Sequence, residues 1–286
     1  MKVALIGNNK CFSAQRLKEE FAKKGIQLDM YNLHSVVFEN RNGKALFHDD
    51  LGVDLLAYDV YMFRGMSEFI KEFSIIAHYL KSCGKLIVED VLTIGPSHVD
   101  KFIPTLIDNE LSSIDSVLLF DERQSVLDEV EYPIIVKGLE GCKGKKVALA
   151  HSEKELLSCI DKFGYPVLLQ KYIPIDCDYR AFVVDGEVLG AVVRYNTEDD
   201  FLTIRSGTKK VSIELPQEAK DVAIHATKVA GLLVAGVDLL EHEGKYYQIE
   251  VNMSPQFKVF ERITEVNVAV KIVESIIRRY EASLAE

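Results

Sequence analysis

The sequence predicts an α/β chain whose second half turns to mixed α+β architecture. Two observations predict it. From residue 1 to about residue 95, short apolar runs alternate with amphipathic stretches that end in glycine. That is the grammar of strand–helix–strand units in an open parallel sheet. Past Gly95-Pro96 the alternation gives way to short strands, tight-turn pairs and separate helices. The chain has 286 residues, 48% hydrophobic and 27% charged, ordinary for a globular protein and long enough for two or three sub-domains. The breaks fall at 1–95, 96–174 and 175–286.

Each element follows from its local pattern. VALIG is a buried strand running into Gly7-Asn8-Asn9, which is not GxGxxG, so a dinucleotide fingerprint is excluded. Ser13 to Lys24 is helical, with Leu17 and Phe21 on one face and Gly25 as terminator. IQLDMYN, DVYMF and KLIVED are further strands, with an amphipathic helix from about Ser67 to Cys83 closed by Gly84. A helix is expected from Asp100 to Leu111, then strands at VLLF, PIIVKG and KKVALAH. Ser152 and Glu155 form a capping box for a helix to Phe163, and VLLQKYI is a strand between prolines. YRAFVVDGEVLGAVVR is a hairpin about Asp185-Gly186, read as the strongest turn signal in the chain. A helix from Pro216 to Gly231, a hairpin over GVDLLEHEGKYYQIEVN and a long terminal helix complete the pattern.

Charge and cysteine usage narrow the function. The net charge of −10, from 34 basic and 44 acidic residues, argues against nucleic-acid or anionic-membrane partners. Five scattered cysteines with no CxxC pair argue against a disulfide framework and for a reducing compartment. The apolar run at the start is too short for a signal peptide, and Val229 to Val237 is far short of a membrane span. A cytoplasmic location is expected.

Three stretches carry candidate chemistry. In QIEVNMSPQF, Glu250 and Asn252 interrupt a strand two residues apart and so share one face. A three-residue turn His242-Glu243-Gly244 would set Glu241 opposite Lys245 and Asp238 opposite Gln248. That puts Asp238, Glu250 and Asn252 on one face of two strands, unless a bulge shifts them. Two carboxylates and an amide oxygen suit Mg²⁺; a solvated polar cluster is the alternative. KGLEGCKGKKV places Gly141 and Gly144 among lysines after the strand ending at Lys137. Such a loop can cradle phosphate, although it does not fit GxxxxGK[ST] and also reads as an ordinary basic hairpin. In LLQKYIPIDCDYR, backbone from a strand end could meet an adenine edge and Asp178 could accept from ribose hydroxyls. Arg180 and Arg194 could clamp phosphate or carboxylate; alone, each also reads as a surface residue.

In this order, phosphate loop, hinge and metal carboxylates, the chain resembles the ATP-grasp superfamily, and within it the RimK-like branch of ribosomal-protein glutamate ligases and their relatives. The resemblance spans nearly the whole chain and rests on VAGVDLL and EVNMSP at their separation, on CDYRAFVVDGEVLGAVVR, and on SHVDKF. It implies an ATP-grasp fold with an N-terminal open parallel-sheet domain. It implies that Lys101 and Lys137 hold ATP phosphates under the loop Gly141, Cys142, Lys143, Gly144 and Lys145. It implies that Gln170, Lys171, Tyr172 and Ile173 read adenine, with Asp178 near the ribose. Asp238, Glu250 and Asn252 would coordinate Mg²⁺, two ions with Mn²⁺ as an alternative. Arg180, Arg194 and Arg205 would face the transferring phosphate or a substrate carboxylate. A homo-oligomer is also implied.

The chain departs from the family pattern in places. Its phosphate loop is EGCKGKK rather than Gly-Ser-rich, and Lys171 replaces the usual hinge Glu. DDFLTIRSGT is shortened, and Gln256 stands where Gly is common. The implied reaction is carboxylate–amine ligation through an acyl phosphate, adding glutamate or another amino acid to an amine-bearing peptide, protein or small metabolite. An ATP-grasp phosphotransferase and a non-catalytic nucleotide-binding module are the rivals.

Overall fold

The computed structural model describes residues 1–66, 69–88, 108, 110–138, 146–195 and 209–285. The chain opens with β1 (Val3–Gly7), helix α1 (Phe12–Lys23) and β2 (Leu28–Tyr31), then a hairpin of β3 (Val36–Arg41) and β4 (Lys44–Asp49). Next come β5 (Val60–Arg64), α2 (Ile70–Ser82) and β6 (Leu86–Val88). Strands β2-β1-β5-β6 form one all-parallel sheet in that order. Every residue of β1 is buried, as expected for a sheet covered on both faces. Helix α1 covers it with Ala14, Leu17 and Phe21, and α2 with Phe73, Ile76, Ala77 and Leu80. Both are the apolar stripes of a 3.6-residue period.

The chain leaves β1 toward β2 on one side and returns to β5 on the other. The connections therefore diverge above the carboxyl ends of β1 and β5. Gly7 closes that point with φ +131°, and a Cβ there would lie 2.0 Å from the Arg64 carbonyl oxygen. Asn8 N–H donates to the same oxygen at 2.9 Å. The Arg64 side chain is fully buried, and its Nη1 donates to Ser254 Oγ at 2.8 Å.

The β3–β4 hairpin occupies residues 36–49, where the sequence pattern predicts no strand. Asn42 (φ 54°) and Gly43 (φ 74°) are both left-handed, the requirement of a tight two-residue turn.

A second, antiparallel sheet has the order β7-β10-β8-β9, from β7 (Ser116–Leu119), β8 (Ile134–Gly138), β9 (Val147–Ala150) and β10 (Val167–Lys171). A short helix, α3 (Gln124–Leu127), precedes β8, and α4 (Glu153–Phe163) lies on one face of the sheet. Leu156, Ile160 and Phe163 of α4 pack on Val136, Val167 and Leu169. Ser152 caps this helix as predicted, accepting from Glu155 N–H at 3.4 Å. The Glu155 carboxylate reaches back one residue further than the motif requires, to His151 N–H at 2.8 Å.

The third sheet has the order β13-β12-β11-β14-β15 and is antiparallel throughout. Its strands are β11 (Cys177–Val184), β12 (Glu187–Tyr195), β13 (Lys210–Ile213), β14 (Val234–His242) and β15 (Lys245–Met253). Asp185 (φ 51°) and Gly186 (φ 78°) make the predicted turn between β11 and β12. Helix α5 (Gln217–Val229) covers one face, where Ala219, Ala223 and Ala226 meet Ala181, Val183, Ala235, Val237 and Val251. On the other face, Phe182, Val184 and Val234 pack under Phe257, Phe260 and helix α7 (Val268–Ser283), which follows the short α6 (Lys258–Thr264). That cluster continues into Val3, Leu5, Leu17 and Phe21 of the parallel sheet. The first and last parts of the chain thus share one hydrophobic core. The predicted helix over 100–111 falls largely outside the described residues.

Candidate active site

Beyond Phe182 and Val234, the same face of the third sheet turns from apolar to charged. Strand register dictates the change. Arg180 pairs directly with Asp238, Asp178 with Arg194, Asp238 with Glu250, and Gly236 with Asn252. Directly paired residues point to the same face, and so do residues two apart in a strand. Asp178, Arg180, Arg194, Asp238, Glu250 and Asn252 therefore form one polar field across four strands.

The hairpin register corrects the sequence reading in one respect. The turn has two residues, Glu243 (φ 52°) and Gly244 (φ 77°), so His242, not Glu241, stands opposite Lys245. A register shift between Asp238 and Leu239 then leaves Ile249 as an extra residue, and Asp238 faces Glu250 rather than Gln248. Without that bulge a one-residue slip would send Glu250 to the apolar face.

The field is held together by paired charges. Arg180 donates from Nε to Asp238 Oδ1 and from Nη2 to Oδ2, the latter at 2.7 Å. Arg194 donates from Nε to Asp178 Oδ1 at 2.7 Å and from Nη2 to Oδ2. Arg194 Nη2 also lies 3.0 Å from Asp238 Oδ1 and so bridges both aspartates. Asp238 is only 7% exposed. Burial pushes its carboxyl up, but the charges of Arg180 and Arg194 outweigh burial and hold it below the usual carboxylate range. For Asp178 burial wins: its carboxyl is pushed up to about 6, with Arg194 opposing and Asp238 adding to the rise. Arg194 is held above its usual value, because the two aspartates outweigh its own burial.

Gly236 makes room for this arrangement. A Cβ there would meet Arg180 Nη1 at 3.0 Å and Pro255 at 3.1 Å. Asn252 Nδ2 donates to Gly236 O at 3.2 Å, which turns the amide oxygen away from β14. Among the described residues, no group of three or more His, Cys, Asp and Glu side chains is placed to share a metal ion. The donor set is the predicted pair of carboxylates plus one amide, all hard oxygen, and its chemistry fits Mg²⁺.

A second polar cluster lies on the face of the second sheet opposite α4. Lys137, 9% exposed, donates from Nζ to Gln170 Oε1 at 2.7 Å. Gln170 Nε2 donates to Ser116 Oγ at 3.0 Å, and Ser116 Oγ to Ile114 O at 2.8 Å. Of the four predicted hinge positions, Gln170 and Lys171 lie within the β10 ladder, where Lys171 N–H donates to Asp115 O at 2.9 Å. Tyr172 and Ile173 lie just past it, where backbone groups leave the ladder. Lys101, Gly141, Cys142, Lys143, Gly144, Lys145 and Arg205 fall outside the described residues. Sequence reasoning missed Gly236 and Ser116. The glycine stands in VAGVDLL, two residues before Asp238, where a small residue beside a crowded face is the available signal.

The family model of the RimK-like ATP-grasp domain matches residues 106–276. The chain belongs to the RimK-like ATP-grasp family. With that family it is a ligase, as the sequence resemblance implies. A relative from Legionella pneumophila (strain Corby), named a probable alpha-L-glutamate ligase, is 27% identical over 293 residues, covering 96% of this chain and 95% of that protein. The ATP-grasp ligase PsnB, solved with its minimal precursor, has a TM-score of 0.74 at 19% identity, covering 97% of this chain and 98% of PsnB. D-alanine–D-alanine ligase from Bacillus anthracis, solved with ATP, has a TM-score of 0.69 at 19% identity, covering 99% of each chain. These two likenesses establish the ATP-grasp fold, with its N-terminal parallel sheet and two antiparallel sheets. Among the described residues of this RimK-like chain, no helix is long and apolar enough to cross a membrane.

Proposed function

We propose that the chain is an ATP- and Mg²⁺-dependent carboxylate–amine ligase. It joins glutamate or another amino acid to an amine-bearing peptide, protein or small metabolite. The observation that carries this reading is the polar field on the third sheet, where register alone gathers Asp238, Glu250 and Asn252 beside Arg180 and Arg194. The family match and the ligase names of the relatives support it.

Two carboxylates and an amide oxygen would hold the metal, which when bound neutralises charge on the triphosphate. Arg180 and Arg194 would offset charge where a substrate carboxylate meets the γ-phosphate, two anions that otherwise repel. A carboxylate oxygen attacks the γ-phosphorus, and the bond to the ADP oxygen breaks. The amine nitrogen then attacks the acyl carbon, inorganic phosphate leaves with the electron pair of the C–O bond, and the nitrogen gives up a proton. Lys137, held by Gln170, would meet phosphate on the second sheet, and Tyr172 and Ile173 would present backbone to the adenine. Two metal ions, with Mn²⁺ able to replace Mg²⁺, and a homo-oligomer complete the proposal.

Purified protein incubated with ATP, Mg²⁺ and pairs of amino acids and amines tests it. ADP and inorganic phosphate should appear together, only with a productive pair, along with an amide product. ADP with a phosphorylated product points instead to a phosphotransferase. ATP binding without turnover across a broad panel overturns the ligase reading.

A further inference from the structure

The metal hairpin has a feature that the ligase reading does not require. Both oxygens of Asp238 are already engaged by guanidinium groups. Oδ1 accepts from Arg180 Nε and lies 3.0 Å from Arg194 Nη2, and Oδ2 accepts from Arg180 Nη2. A carboxylate offers about four lone-pair positions, so little of Asp238 remains for a cation. The arrangement is built into the backbone, because Arg180–Asp238 and Asp178–Arg194 are both direct cross-strand pairs. Gly236 seats the Arg180 side chain beside them. Counted together, Asp178 and Asp238 are balanced by Arg180 and Arg194. A divalent ion reaching Asp238 in this state would stand beside two positive charges at close range in a buried site.

We propose that Arg180 and Arg194 are positioning residues that keep Asp238 closed to divalent cations until an anionic phosphate draws the guanidinium groups away. The inference rests on the ligase reading and on Asp238 as a metal donor. A triphosphate supplies the competing acceptor, since guanidinium binds phosphate oxygens in the same two-pronged way that it binds carboxylate. As the arginines turn to phosphate, the aspartate is released to the metal arriving with it. Metal and nucleotide then load together, and free cation does not occupy the site alone. The coupling is mutual, so a filled metal site also favours the phosphate-facing arginines.

The test is a Mn²⁺ titration of the full chain followed by electron paramagnetic resonance, with and without the imido analogue of ATP. Wild-type protein should bind no Mn²⁺ without nucleotide at concentrations that saturate it with the analogue. R180M should bind Mn²⁺ without nucleotide at least about tenfold more tightly than wild type, and R180K should fall between them. Tight Mn²⁺ binding by nucleotide-free wild type overturns the inference, as does unchanged affinity in R180M. Should R180M fail to fold, R180K and the wild-type titration decide the matter. E250Q with the analogue separates the two ideas. Loss of bound Mn²⁺ keeps the hairpin as the metal site whatever the arginines do, and full retention removes that assignment itself.

Discussion

Asp238 and Glu250 are cross-strand partners, yet substituting them should have different consequences. Asp238 is the buried centre of two ion pairs, and D238N takes the paired charge from Arg180 and leaves Arg194 with Asp178 alone. Breaking such a pair costs about 3 kcal/mol. Glu250 is only half-buried, and E250Q should change stability by no more than about 1 kcal/mol. Both should lower metal-dependent turnover by roughly 100-fold. Urea unfolding beside phosphate-release kinetics checks this; normal turnover in E250Q would remove Glu250 from the metal set. The two aspartates also respond oppositely to pH. The depressed carboxyl of Asp238 adds stability above the usual carboxylate range that is lost as pH falls through its lowered value. Asp178, pushed up from 3.8 to about 6, gives its contribution at low pH and loses it as pH rises through about 6. Relative to D178N, wild type should therefore lose on the order of 1–3 kcal/mol between pH 4 and 7. Urea midpoints across that range measure it, and a wild type that gains stability on D178N as pH rises would contradict the assignment.

At the scale of the strand, β14 works because one of its residues has no side chain. Gly236 lies opposite Asn252 and beneath Arg180. G236A introduces a methyl group 3.0 Å from a guanidinium nitrogen and 3.1 Å from Pro255. Stability should fall by about 1–2 kcal/mol, and kcat/KM should fall roughly tenfold as Arg180 shifts. Wild-type kinetics in G236A would show that Arg180 acts from elsewhere. This element also marks the limit of what sequence pattern conveys. The alternation of Glu250 and Asn252 was legible because a strand has period two. The bulge at Ile249 was not, because it compensates a turn one residue shorter than expected, and both readings fit the same letters. The pairing of Arg180 with Asp238 was hidden for another reason: β11 and β14 are neighbours in the sheet but 58 residues apart at that pair, a choice that no local signal encodes. Asn42-Gly43 was the converse case. The turn signal was present, but its flanking strands are half exposed and lack a clean apolar alternation.

For the whole molecule, the shared core decides how it unfolds. Phe257 is fully buried against Phe12 and Phe182, and its cluster runs from β1 and α1 through Phe182 to α7. The sequence located the parallel sheet and the antiparallel half correctly from their grammars. It could not show that the first and last parts are welded together, because packing between distant segments leaves no periodic trace. F257A should cost about 3–5 kcal/mol and lower the stability of both parts together, in one calorimetric transition. Two separate transitions, with only one displaced, would show that the parts unfold independently.

Gly7 carries a longer reach than its size suggests. Its missing side chain lets the ends of β1 and β5 close to a single amide contact on the Arg64 carbonyl, while the Arg64 side chain holds Ser254. Ser254 comes two residues after Asn252. A methyl group added at position 7 would wedge the two parallel strands apart, and the shove would travel along one arginine to the residue that follows β15. The spacing of the Asn252 amide is thereby calibrated, in part, by a hydrogen atom at the opposite end of the polypeptide.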